Sequence, residues 1–230
     1  MPNLTAEQLE ELRQIPTCSV ANAIETFDVM PRTEGFMLPA VKSIFPEMGH
    51  MIGYAVTAVI TANMPPSGHM NVSRLDWVDA ILSVPEPRVL VLQDLDYPNV
   101  IGSFWGEVQA NIHGALGCVG TLTDGGVRDL DEMRELGFNA FATDVLVSHA
   151  YVHLIDVAVP VTVGGLKVNM GDIILGDQHG VMSIPQDIAA DVPAAVKRVE
   201  DREREMISLC QSEDFSVEKL KDQLRKMYGG

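Results

Sequence analysis

No apolar stretch of this 230-residue chain reaches the roughly 18 residues that a membrane-spanning helix needs, so no membrane partner is expected. The opening residues, Met1-Pro2-Asn3-Leu4-Thr5-Ala6-Glu7, lack the basic and apolar regions of a signal peptide, and the cytoplasm is the expected compartment. Cysteine is scarce. Cys18, Cys118 and Cys210 are far apart and form no C-x-x-C, which argues against a disulfide framework or a zinc knuckle. Basic residues are few as well: 16 against 32 acidic ones leave a net charge of −16. That balance argues against a nucleic-acid partner, whose phosphates are held by basic contacts. It also repels small anions at long range, so an anionic substrate would need a local cation. Gly114-x-x-Gly117-x-x-Gly120 is neither a dinucleotide fingerprint nor a P-loop, and no G-x-S-x-G nucleophile elbow occurs.

What remains is the composition of a globular α/β protein, with 47% hydrophobic and 21% charged residues. Neither repeats nor a linker interrupt the chain, so one domain over 1–230 is expected, with 185–230 as a helical C-terminal extension. Thr5-Ala6-Glu7-Gln8 is a capping box ahead of an apolar stripe at Leu9, Leu12 and Ile15, and Pro16 ends that helix. Thr17 is the expected cap of a second helix carrying Val20, Ala23 and Ile24 on one face. Residues 28–50 are rich in Pro and Gly and read as loop, and Met51 to Ala62 is strongly β-prone. Asn63 to His69 reads as a loop, Ser73 to Leu82 has helical spacing, and Arg88 to Leu92 is a buried-type strand. Val145 to Val168 turns to β character around a Gly164-Gly165 turn, and Asp172 to Pro185 reads as a hairpin. Gln186 to Leu209 is a charged helix with Val192, Val196 and Val199 on one stripe, and Ser216 caps a last helix.

The chemistry concentrates between Trp105 and Asp129. Val108 to Leu116 reads as a short helix beginning at Gly106-Glu107, and Cys118 to Leu122 as a buried strand. Asp124-Gly125-Gly126 breaks that strand, since paired glycines permit φ > 0 and close approach to the backbone. Arg128-Asp129 then opens a helix, Leu130 to Leu136, closed by Gly137. The crevice beyond a strand's carboxyl end is the usual ligand site of an α/β sheet. A guanidinium there suits a carboxylate or enolate, and an Asp oxygen suits Mg²⁺. The same residues admit a plainer reading: Asp129-x-x-Glu132 is a helix-capping pattern, and Arg128 is placed to pair with Glu132.

Trp105-Gly106-Glu107, then Arg128-Asp129 and Glu132, resembles the signature of the RraA-like family. Thr17 to Thr26 resembles that family's N-terminal helix, and Ile52 to Ala58 its early G-x-A-x-T strand. Gly165 to Asp172, with Gly180-Val181, resembles its G-V-x-V-x-P-G-D … D-x-D-G-V hairpin, although His179 stands where the family usually has Asp. The family contains class II pyruvate aldolases, acting on 4-hydroxy-4-methyl-2-oxoglutarate and 4-carboxy-4-hydroxy-2-oxoadipate, and protein inhibitors of ribonuclease E. The resemblance implies a layered α/β sandwich like the swivelling phosphohistidine domain, assembled as a homotrimer or dimer of trimers. It implies a lyase that releases pyruvate from a 4-hydroxy-2-oxo acid and decarboxylates oxaloacetate. A divalent cation, Mg²⁺ or else Mn²⁺ or another, is then expected on Asp129 directly and on Glu107 through water. Arg128 would contact the keto oxygen, and the backbone around Gly106, Val108 and Gln109 would hold the substrate carboxylate. The other implied function is a non-catalytic regulator that binds a partner protein such as a ribonuclease. The resemblance also implies an acidic residue reaching the site from an adjacent chain, for which Glu200 or Glu203 would be the candidate.

The remaining candidates are weaker. His149 and His153 are four residues apart in a β-prone stretch, where a strand would separate them by roughly 13 Å and prevent shared metal ligation. His179 reads as a turn residue, and Lys197 to Glu205 as a solvated helix face.

Overall fold

The computed structural model describes residues 4–66 and 72–228. Among them are seven α-helices: α1 (Ala6–Arg13), α2 (Thr17–Ile24), α3 (Arg74–Leu82), α4 (Glu107–Ala115), α5 (Leu130–Glu135), α6 (Val192–Gln211) and α7 (Val217–Tyr228). The strands are β1 (Lys42–Ser43), β2 (Met51–Thr61), β3 (Arg88–Asp94), β4 (Ser103–Trp105), β5 (Cys118–Thr123), β6 (Gly126–Val127) and β7 (Asn139–Ala142). They continue with β8 (Asp144–Val145), β9 (His153–Val157), β10 (Val161–Val163), β11 (Leu166–Val168), β12 (Ile173–Asp177) and β13 (Gly180–Ile184).

The main sheet runs β1-β7-β5-β3-β2-β12-β13, with β9 also paired to β2. Its centre, β2, β3, β5 and β7, is parallel, which explains why those segments read as continuous apolar runs rather than alternating ones. Both faces are covered. Ile52, Tyr54, Val56, Leu90 and Leu92 point into one core with the helices, whereas Met51, Ala55, Val89 and Val91 point into a second core. The β10–β11 hairpin closes that second core with Val161, Val163, Leu166 and Val168. Gly164 and Gly165 both have positive φ, 54° and 83°, as a two-residue hairpin turn of this hand requires.

The first helix has its capping box: Thr5 Oγ1 accepts from Gln8 N at 3.2 Å, and Gln8 Oε1 accepts from Thr5 N at 2.9 Å. Thr17 does not cap α2. Pro16 holds the cap position, and Thr17 is the first helical residue. Its N–H and Oγ1 donate to the buried Asp177 carboxylate at 2.9 and 2.8 Å, so the end of β12 caps this helix from 160 residues away. The Asp124-Gly125-Gly126 turn also differs from expectation, because neither glycine adopts positive φ. Close approach alone requires them: a side chain on Gly125 would meet Asp94 Oδ2 at 2.8 Å, and one on Gly126 would meet Leu146 at 2.5 Å.

Both C-terminal helices form, but the first begins at Val192 and not at Gln186, after a 3-10 turn over Ala189–Asp191. Val192, Ala195 and Val196 of α6 are buried. Ser216 Oγ accepts from Lys219 N at 3.2 Å at the start of α7. No helix among the described residues is long and apolar enough to cross a membrane. The loop expected at Asn63 to His69 lies partly outside the described residues.

Candidate active site

A small parallel sheet, β4-β6-β8, brings the two halves of the sequence signature together. Ser103 pairs with Gly126 and Trp105 with Val127, and the Ser103 hydroxyl donates to the carbonyls of Trp105 and Gly126 at 2.6 and 2.8 Å. Arg128 N donates to the Trp105 carbonyl at 3.1 Å. The indole of Trp105, 1% exposed, stacks edge-on against Phe104 and His113 and anchors the corner in the core. Chains leaving Trp105 and Val127 therefore run side by side into the starts of α4 and α5.

At that junction Asp129 has φ 53° and ψ 50°, a left-handed conformation that Asp tolerates better than most residues. It occupies the cap position of α5 but makes no side-chain bond to that helix. Its Oδ2 instead accepts from Glu107 N, the first residue of α4, at 3.0 Å, and lies 3.6 Å from Arg128 Nε. Asp129 therefore caps a helix, but α4 and not the α5 that its position in the sequence suggests. Only Gly106 permits the arrangement, because a side chain there would sit 2.5 Å from Asp129 Oδ2 and 3.2 Å from Arg128 Nε. Arg128 pairs with Asp129 rather than with Glu132, which is exposed.

Asp129 Oδ1 has no hydrogen-bond partner among the described residues, nor do the N–H groups of Val108 and Gln109. The corner thus presents one carboxylate oxygen, one guanidinium and two unused donors at a helix N-terminus. The residues that carry them, Arg128, Asp129, Val108 and Gln109, line a cavity of about 560 Å³ together with Gly106. Glu107 contributes its N–H to the corner; its carboxylate is exposed and does not line the cavity. No group of three His, Cys, Asp or Glu side chains is gathered to hold a metal among the described residues. The donor set therefore suits a hard cation that retains most of its waters, as Mg²⁺ does, and not a fully protein-ligated ion.

Several groups around the corner escaped the sequence reading. His113 is 2% exposed; its Nε2 accepts from Trp77 Nε1 at 2.8 Å, and its Nδ1 lies 2.6 Å from the Gln109 carbonyl. The proton must therefore reside on Nδ1, and burial holds this imidazole below its ordinary pKa, leaving it neutral. Asp94 and Asp124, at the carboxyl ends of β3 and β5, are 2% and 5% exposed, and burial pushes both carboxyls up to about 6. Asp124 Oδ1 accepts from Asp94 N at 2.7 Å, while Asp94 Oδ2 has no partner. An acid directly after each apolar strand was the available signal.

His149 and His153 both line the cavity, although not as residues of one strand. Val152 N donates to the His149 carbonyl at 3.0 Å, so a turn replaces the extended geometry expected there. Glu200 accepts from Ser19 of its own chain at 3.1 Å, and Glu203 is exposed.

A family model described as RraA-like, Aldolase/RraA, matches residues 17–183. The chain is 26% identical over 207 residues to protein DlpA of Legionella pneumophila, covering 88% of this chain and 31% of that protein. It thus spans less than a third of that relative's length. Over 93 residues it is 32% identical to a putative 4-hydroxy-4-methyl-2-oxoglutarate aldolase of Halalkalibacterium halodurans, covering 39% of this chain and 44% of that one. Among solved structures it resembles Streptomyces coelicolor RraAS2, described as an unusual member of the RNase ES inhibitor RraA protein family. That match has a TM-score of 0.70 and 19% identity over 89% of this chain and 97% of that chain.

Proposed function

Since the chain belongs to the RraA-like family, we propose that it is a divalent-metal-dependent lyase that splits a 4-hydroxy-2-oxo acid and releases pyruvate. The observation that carries this reading is the corner itself. Arg128, Asp129, Val108 and Gln109 line one cavity, and one Asp129 oxygen and the N–H groups of Val108 and Gln109 have no partner among the described residues.

The substrate's carboxylate would be held by the N–H groups of Val108 and Gln109 at the positive end of α4. Arg128 would lie against the keto oxygen and stabilise the negative charge that grows there as the C3–C4 bond breaks. The proton leaving the C4 hydroxyl passes to water, and one returns to C3 of the enolate, so the products are pyruvate and a carbonyl compound. Oxaloacetate would enter the same route, since loss of CO₂ leaves the identical enolate. A divalent cation, Mg²⁺ or Mn²⁺ by its preference for oxygen, would be held by Asp129 and otherwise by water, and would supply Lewis-acid polarisation of the keto acid; the Glu107 carboxylate, exposed and outside the cavity lining, is not needed for this. A homotrimer or dimer of trimers is the assembly proposed with it.

The competing reading, a non-catalytic protein that binds a partner such as a ribonuclease, draws on the net charge of −16, which suits a basic partner segment. Coupled detection of pyruvate from oxaloacetate, with and without EDTA, separates the two. The lyase reading requires EDTA-sensitive release, and no release under any divalent ion contradicts it.

A further inference from the structure

The cavity is larger than the pyruvoyl unit needs. At roughly 30 Å³ per water, its 560 Å³ corresponds to about nineteen water volumes, whereas pyruvate has only six heavy atoms. Away from Arg128 and Asp129 the walls are mostly apolar: Trp77 and Val78 of α3, Phe104, Ile112 of α4 and Leu154 of β9. Val108 and Ile112 are 67% and 46% exposed, an apolar i, i+4 pair left open on α4 beside this space.

Two histidines of the lining each spend one ring nitrogen on the backbone. His149 Nδ1 lies 2.7 Å from the Ala150 carbonyl, and His153 Nδ1 lies 2.7 Å from the Tyr151 carbonyl. A carbonyl only accepts, so each ring carries a proton on Nδ1 and spends it on the backbone. The wall is also held in place. Ala150 has φ 44°, uncommon for Ala, and Tyr151 N donates to the Ala62 carbonyl at 3.2 Å. Gly102 is packed so closely that a side chain there would meet the His149 carbonyl at 2.6 Å. Arg74, exposed on the first turn of α3, is the one cation other than Arg128 among the described lining residues.

We infer that the carbonyl half of the substrate is an uncharged, aromatic-sized apolar group and not a second carboxylate. The cleaved compound would then be a 4-aryl-4-hydroxy-2-oxo acid, and the product released with pyruvate an aryl aldehyde. The identity of the substrate rests on the lyase reading; the preference of the pocket for an apolar group is measurable without turnover.

The test compares two ligands that lack the C4 hydroxyl and cannot be cleaved, 2-oxo-4-phenylbutanoate and 2-oxoglutarate. Both are titrated calorimetrically into the full chain with Mg²⁺ present. Burying the ring predicts about 10- to 100-fold tighter binding of the phenyl compound. Ile112→Asp, on an exposed helix position, should reduce that ratio at least several-fold by placing a carboxylate against the ring. Equal or tighter binding of 2-oxoglutarate, as capture by Arg74 would give, overturns the inference. Pyruvate release from oxaloacetate, measured on the same preparation, reports the lyase reading separately. Phenyl preference without any release would sink that reading and leave the apolar pocket standing.

Discussion

Asp129 accepts a hydrogen bond at 3.0 Å from the backbone N–H of Glu107, 22 residues earlier, and so caps a helix that is not its own. One carboxylate oxygen is thereby fixed by α4 while the other stays free, and Arg128 is drawn alongside at 3.6 Å. Placement of both side chains depends on two helix starts meeting across β4 and β6.

Gly106→Ala tests that dependence. Gly106 has φ −175°, which any residue adopts, so the substitution acts through space and not through backbone strain. The added methyl would stand 2.5 Å from Asp129 Oδ2 and must push the carboxylate aside. Overpacking of this kind costs about 1–3 kcal/mol, and a displacement near 1 Å in a reactive group costs about 10²-fold in rate. Pyruvate release should fall by that order while circular dichroism shows the fold retained. Unchanged turnover would mean that Asp129 is not positioned by this contact.

Asp94 and Asp124 should make the protein less stable as it leaves acid. Their folded pKa values, about 6, lie above the 3.8 of the free side chain. The stability they contribute is complete below 3.8 and is lost as pH rises through about 6. Asp94→Asn removes the charge whose Oδ2 lacks a partner. It should raise neutral-pH stability by about 1–2 kcal/mol and flatten the slope of Tm across that window. A variant no more stable than the wild type at neutral pH would contradict the assignment.

Asp177 should act in the opposite sense. Burial works to raise its pKa, but hydrogen bonds from Thr17 and His179 outweigh burial and hold it below its ordinary value. The stability it contributes is present above 3.8 and is lost as pH falls through the lower, folded pKa. Asp177→Ala leaves the first turn of α2 and the Thr17 hydroxyl without an acceptor, at a cost of about 1–3 kcal/mol by thermal denaturation at neutral pH. Loss of less than a few tenths would show that water replaces the cap.

Much of this architecture is legible in the residues, for identifiable reasons. The capping box at Thr5 and Gln8, the apolar run of β2 and the Gly164-Gly165 turn are local signals, each complete within a few residues. Arg128 and Asp129 are singled out by the family resemblance and not by their spacing, which fits a helix cap as well. What escaped lies across the chain. Thr17 looks like a cap because its true partner, Asp177, is 160 residues away. Asp129 looks like the cap of α5 because α4 is brought to it only by the β4–β6 pairing. His149 and His153 look extended because the turn between them depends on packing against Gly102 and Ala62. The Trp77–His113 hydrogen bond joins two helices and has no local trace.

Metal-dependent release of pyruvate from oxaloacetate, measured for the wild type beside Arg128→Ala and Asp129→Ala, tests the central claim most directly. Removing one preorganised charge contact should lower turnover by about 10²–10³-fold in each variant, with the fold preserved. Wild-type turnover in both variants would show that the corner between α4 and α5 is not where a keto acid is split.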